Sequence, residues 1–127
     1  MTLDDVRRIA LSLPGSEEGT TYGSTAWKVK GKLFVWERPL RKADVAALGD
    51  AAPDGAIIGV KVEHEIAKRA LLESEPACFT TPHFDGNAIV LVELDKVSAD
   101  ALADLVVESW LNTAPPKLAD AYLADRA

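Results

Sequence analysis

Residues 25–38, TAWKVKGKLFVWER, decide the fold. Two short runs rich in β-branched and aromatic residues flank Lys30-Gly31, a pair suited to a two-residue hairpin turn because glycine tolerates the positive φ that such turns demand. Residues 25–29 and 32–38 are therefore read as antiparallel partners, and Pro39 closes the second strand. Strict pairing about that turn puts Trp27, Val29, Lys32, Phe34 and Trp36 on one face of the hairpin. Lys28, Leu33 and Val35 fall on the other.

Upstream, Thr2 and Asp5 form a capping-box pattern, and Leu3, Val6, Ala10 and Leu13 recur at helical spacing. A first helix is predicted to run to Leu13, where Pro14 and Gly15 break it. Residues 16–24 are polar and glycine-bearing and read as a loop. Downstream, 43–48 reads as a short helix stopped by Gly49, 50–55 as a loop, and 56–62 as a third strand. A helix follows over 65–73, with Glu65 placed to pair with Arg69, and Pro76 ends it. A short extended piece at Cys78 and Phe79 precedes the polar segment 80–87, after which the nearly all-apolar run 88–94 has the length of a central strand. Ser98 caps a helix that carries Leu102, Leu105, Val106 and Trp110 on one face. Ala114, Pro115 and Pro116 separate it from a last short helix through Tyr122.

Hairpin-linked strands mixed with helices of this kind predict an α+β fold: an antiparallel sheet of four to five strands with helices packed on one face. The expected core includes Val6, Leu13, Phe34, Val60, Val90, Leu91, Leu105 and Trp110. At 127 residues, 48% hydrophobic and 27% charged, the chain suits one domain over 1–127. A single cysteine excludes an intrachain disulfide and fits a reducing compartment. The leading residues lack a signal-peptide pattern, and no apolar run approaches the roughly 20 residues that span a bilayer. A soluble cytoplasmic protein without membrane contact is expected.

The net charge is −6, which disfavours phosphate binding by the surface as a whole. The charge is segregated along the chain. Residues 27–42 hold Lys28, Lys30, Lys32, Arg38, Arg41 and Lys42 against Glu37, a sum of +5, while the remainder holds eight cations against nineteen carboxylates, a sum of −11. Two readings fit those cations: lysines that discourage edge-to-edge strand pairing, or a basic hairpin that reaches a DNA groove. Trp27, Phe34 and Trp36 read as core at strand spacing, with base stacking as the other reading.

The densest polar cluster is Thr80-Thr81-Pro82-His83-Phe84-Asp85-Gly86. Its imidazole and carboxylate suit a hydrogen-bonded loop, and they also fit a small-ligand site in which Thr80, Thr81, His83 and Asp85 form a pocket wall alongside Tyr22. No nucleophile and no zinc-ligand spacing accompany them, so no catalytic residue, cofactor or metal is assigned and the chain is read as non-enzymatic. Asp100, Asp104 and Glu108, four residues apart on a helix, read as a solvated face. The first helix carries only Asp4 and Asp5 as acidic residues, too few for a metal-rich ridge.

Taken together, ALSLPGSEEG (10–19), GKLFVW (31–36), IGVKV (58–62), TTPHFDG (80–86) and ESWLNTAPPKL (108–118) resemble the MmcQ/YjbR family of small bacterial proteins. The resemblance spans nearly the whole chain. It implies a fold similar to the CyaY (frataxin) domain, a double-wing arrangement and a DNA-binding label, with no catalytic residues to carry over. Binding to DNA would then run through residues 27–42, and a small-ligand or protein-interaction role through the 80–85 loop is the alternative.

Overall fold

The computed structural model describes residues 1–126. In chain order the elements are α1 (Leu3–Leu11), β1 (Ser16–Thr21), β2 (Ser24–Val29), β3 (Lys32–Glu37), α2 (Lys42–Leu48), β4 (Ile57–Lys61), α3 (Glu65–Ser74), β5 (Cys78–Phe79), β6 (Ile89–Glu93), α4 (Ala99–Thr113) and α5 (Pro116–Arg126). The fold is α+β, and every neighbouring strand pair in the order β1-β2-β3-β4-β6-β5 is antiparallel. The sheet has six strands, not four to five.

The additional strand is β1, in the segment read as a loop. Its sequence, SEEGTT, has no apolar alternation, and its four central residues are exposed. As an edge strand it is held by backbone pairing to β2 rather than by a buried face. Tyr22 and Gly23, with φ of 48° and 79°, make the turn between them, and Lys30 and Gly31, at 51° and 81°, make the predicted one between β2 and β3. Both are tight turns with two successive left-handed residues. At the opposite edge, the extended piece at Cys78 and Phe79 pairs with β6.

The hairpin faces differ from strict alternation because one residue is inserted. Trp27 lies opposite Val35 but Lys28 lies opposite Leu33, so Phe34 is an extra residue in β3. Such a bulge rotates the strand and lets two consecutive side chains reach one side. Phe34 and Val35 both enter the main core with Trp27, Val29, Ile58, Val60, Val90 and Val92. Trp36 turns to the other face, into a smaller cluster with Ala26, Ile57, Phe84 and Leu91. Leu91, expected in a single core, belongs to this second one.

Helices α1 and α4 pack on the main face and on each other. Val6, Ala10, Leu102, Val106 and Trp110 are fully buried there. Trp110 donates its indole N–H to the Pro14 carbonyl at 3.1 Å, and Tyr122 of α5 lies 5.0 Å from its ring. The Thr2–Asp5 capping box is formed, and α1 ends at Leu11, two residues before the predicted stop. Among the described residues no ion pair joins Glu65 to Arg69.

On the second face the large indole of Trp36 is accommodated by the absence of a side chain at Gly59, its partner on β4. A Cβ at Gly59 would fall 2.5 Å from two ring carbons of Trp36. Gly59→Ala is therefore expected to cost about 1–3 kcal/mol in urea unfolding by overpacking. In a Trp36→Leu background the same change should cost far less. Equal losses in both backgrounds would mean that the indole does not set the requirement for glycine.

Candidate functional site

Antiparallel pairing gives the sheet two ends of different character. Strand β3 separates Lys32 from Arg38, and at about 3.3 Å per residue the two ends of that strand stand about 20 Å apart. The cations of residues 27–42 are thereby divided into two groups of three.

At the first end, Lys30 and Lys32 are exposed and Lys28 is half-buried opposite Glu17. The Lys30 stem lies beside Gly15 and the Leu118 side chain of α5. Lys32 shares an open groove of about 650 Å³ with Lys61, Glu63 and the α4–α5 junction. Among the described residues Lys28, Lys30, Lys32 and Lys61 are in no ion pair. Lys61 was absent from the sequence-based set because it is 29 positions from Lys32. The topology supplies it, since β4 runs antiparallel to β3 and ends where β3 begins.

The second end is built differently. Arg38 is 5% exposed and Asp44 3%. The Arg38 guanidinium donates to Asp44 Oδ2 at 3.0 Å and to the Pro39 carbonyl, and it lies 5.2 Å from the centre of the Phe84 ring. Asp44 also accepts the Arg41 backbone N–H at 2.9 Å. Burial pushes the Asp44 carboxyl up, but the Arg41 N–H, the Arg38 hydrogen bond and the Arg38 charge outweigh it and hold it below its ordinary value. Arg38 is thus an internal residue with its fork already occupied, which corrects its place in a basic surface. Arg41 and Lys42 remain exposed, Arg41 with its guanidinium 6.0 Å from the centre of the Tyr22 ring.

The 80–85 loop supports this end from behind. Lys68 of α3, 3% exposed, donates to the carbonyls of Phe84 and Asn87 at 2.8 Å each, clamping the 3-10 turn Pro82–Phe84. Thr81 is buried close to Asp44, yet its hydroxyl closes no hydrogen bond of normal geometry. Thr80 is half-buried, while His83 and Asp85 face solvent, with the imidazole edge-on to Phe84 at 4.8 Å. The small cleft lined by Tyr22, 94% exposed, contains Trp36, Arg38 and Arg41 but none of residues 80–85. Tyr22 and the loop hydroxyls are therefore not walls of one pocket.

His64 caps α3, its Nδ1 accepting the Ala67 N–H at 3.1 Å. Cys78 is buried, and burial with the nearby Glu75 pushes its thiol up to about 12. Among the described residues no three His, Cys, Asp or Glu side chains gather closely enough to hold a metal ion. No helix among them is long and apolar enough to cross a membrane.

The YjbR family model matches residues 11–112. The chain belongs to the YjbR family. It is 46% identical over 128 residues to the uncharacterized protein Rv2570 of Mycobacterium tuberculosis, covering 98% of this chain and 97% of that protein. The uncharacterized protein Mb2600 of Mycobacterium bovis matches to the same extent. Among solved structures, Deinococcus radiodurans protein DR2400, with a DUF419 family-model domain, superposes with a TM-score of 0.64 at 24% identity, over 87% of this chain and 76% of that one. That likeness is one of fold.

Three outcomes test the buried groups of this YjbR-family chain. Asp44→Asn should cost about 3–5 kcal/mol in urea unfolding, because it leaves the Arg38 charge buried without its partner. A carboxyl depressed in the folded state stabilises at pH above its unfolded value, near 3.9, and that stabilisation is lost as pH falls through the lower folded value. The wild-type stability curve should therefore fall more steeply below about pH 4 than that of Asp44→Asn. Cys78 is predicted to react with a thiol-specific disulfide reagent at pH 8 only as fast as the chain opens, and rapid labelling of the folded protein would contradict its burial.

Proposed function

We propose that this YjbR-family chain is a non-enzymatic protein that binds duplex DNA weakly, through backbone phosphates, at the lysine-bearing end of its sheet. The observation that carries this reading is the convergence of Lys28, Lys30, Lys32 and Lys61 at one end, where among the described residues no carboxylate pairs with any of them. Phosphate contacts require cations that are free to exchange small counterions for the nucleic-acid backbone. A tight turn between two strands sets Lys30 and Lys32 two residues apart at the end of the sheet, both exposed to a passing groove wall. Arg41 and Lys42, about 20 Å away, are a separate patch that a single short contact does not need.

The acidic remainder of the chain repels the same backbone, which favours a dissociation constant in the micromolar range or weaker at physiological salt. Four engaged lysines correspond to a slope of log affinity against log salt of about −3 to −4. Fluorescence anisotropy with a labelled duplex at several salt concentrations measures that slope. Lys28→Glu combined with Lys30→Glu should abolish binding with the fold intact by circular dichroism, and Arg41→Glu combined with Lys42→Glu should change it less than threefold. No binding by the wild type at low salt, or equal loss in the two double variants, would overturn the proposal.

A further inference from the structure

Helices α3 and α4 lie on the same face of the sheet, α3 over β5 and β6 and α4 over β3 and β4. They do not close on each other. Alanines occupy the positions where larger side chains would interdigitate, leaving a groove of about 370 Å³ floored by Ala67, Ala70, Leu71, Ala101 and Leu105. That volume is within the roughly 300–1,000 Å³ of small-molecule sites, which combine an apolar lining with a few polar groups.

Of the six polar side chains that line it, four are carboxylates, with Lys61 and Asn112 the others. Glu63, Glu75, Asp104 and Glu108 border the groove, and Lys61 at one end is its sole cation among the lining residues. Among the described residues Glu75, Asp104 and Glu108 are in no ion pair. Asp104 and Glu108 are four apart on α4, where like charges repel. Sequence spacing placed both on a plain solvated face, yet they flank Leu105 along an open apolar floor. The carboxylates are too dispersed to close around one metal ion. They suit a positive charge carried by an organic body that covers the apolar floor.

We infer that the α3–α4 groove is a binding site for a small amphipathic organic cation, an amine or ammonium on an aliphatic or aryl body. The apolar body displaces water from Ala67, Ala70, Leu71, Ala101 and Leu105, and the ammonium lies among Asp104, Glu108 and Glu75. Complementarity is of charge as well as of shape: a neutral ligand of the same size loses the carboxylates, and an anionic one is repelled. The groove shares Lys61 with the lysine set proposed for DNA, but its carboxylates and its apolar floor lie outside that set.

The test uses three ligands of one chain length, octylammonium, octanol and octanoate, titrated into the full chain by calorimetry. Octylammonium should bind at least tenfold more tightly than octanol at low salt, with the gap narrowing as salt rises, and octanoate should not bind. Asp104→Asn with Glu108→Gln, both exposed positions, should bring octylammonium down to the affinity of octanol. Ala70→Phe, also at an exposed position, should fill the groove and abolish binding of both. Octanol binding as well as octylammonium, an unchanged affinity in the double carboxylate variant, or no binding of any of the three would overturn the assignment. So would binding of a basic amphipathic helical peptide with none of octylammonium. Lys28→Glu with Lys30→Glu should leave the octylammonium affinity unchanged, so failure of the DNA reading and failure of this one are separable.

Discussion

The single inserted residue at Phe34 governs how the rest of the molecule is arranged. Without it, Trp27, Phe34 and Trp36 would crowd one face of the hairpin and the reverse face would hold little beyond Leu33 and Val35. With it, Phe34 and Val35 both enter the main core, and Trp36 becomes the centre of a second one. Helix α4 is tied to the same place, since Ser109, 1% exposed, donates its hydroxyl to the Phe34 carbonyl at 2.8 Å. A buried serine on an otherwise leucine-rich helix face thus satisfies a carbonyl at the irregular point of the ladder.

A second core on the reverse face needs a cover, and no long helix supplies it. Leu40, between β3 and α2, and Phe84, in a single 3-10 turn, do so beside Phe79 of the edge strand β5. Buried charges fix those segments. Lys68 holds two carbonyls of the 80–87 loop, and Arg38 with Asp44 holds the start of α2 against Phe84. Such groups are costly to bury and are retained when each finds its partners, so they specify one arrangement of loops that hydrophobic packing alone would leave loose. Within TTPHFDG the part fixed in this way is the Phe84 carbonyl, which accepts from Lys68; the Thr81 hydroxyl closes no such bond, and His83 and Asp85 face solvent.

Elements with a strong local signal were legible in the sequence. The Lys30-Gly31 turn, the apolar run of β6, the Thr2 and Ser98 caps and the buried Trp110 face all follow from turn chemistry, periodicity or capping. Strand β1 was not, because an edge strand exposed along most of its length shows no apolar alternation; only Tyr22-Gly23, between two threonine- and serine-bearing runs, hinted at a turn. The bulge had no local signal either. Strict alternation predicts Trp36 with Trp27, and only Gly59, 23 residues on, has the small size that makes the opposite placement possible. Of the basic candidates, Lys28, Lys30 and Lys32 were legible as a turn-bearing cluster. Arg38 was misread because Asp44 lies six residues further along, on a helix whose direction sequence spacing does not reveal.

Charge clusters along a chain and charge clusters in space part company wherever a strand intervenes. The six cations of residues 27–42 are adjacent in sequence, but the strand between Lys32 and Arg38 spreads them over about 20 Å. The reverse holds for Lys61, which an antiparallel neighbour returns to Lys32 from the other side of α2. The same logic produces the acidic groove, since Glu63 and Glu75 bracket α3 while Asp104 and Glu108 belong to α4. Lys61 and Glu63, two residues apart, both line the boundary between the basic groove and the acidic one. A net charge of −6 therefore describes neither surface. On the proposed reading, a phosphate backbone approaching the β2–β3 turn meets first lysines that are in no ion pair among the described residues, and the carboxylates of α3 and α4 then limit how far along the molecule that contact can extend.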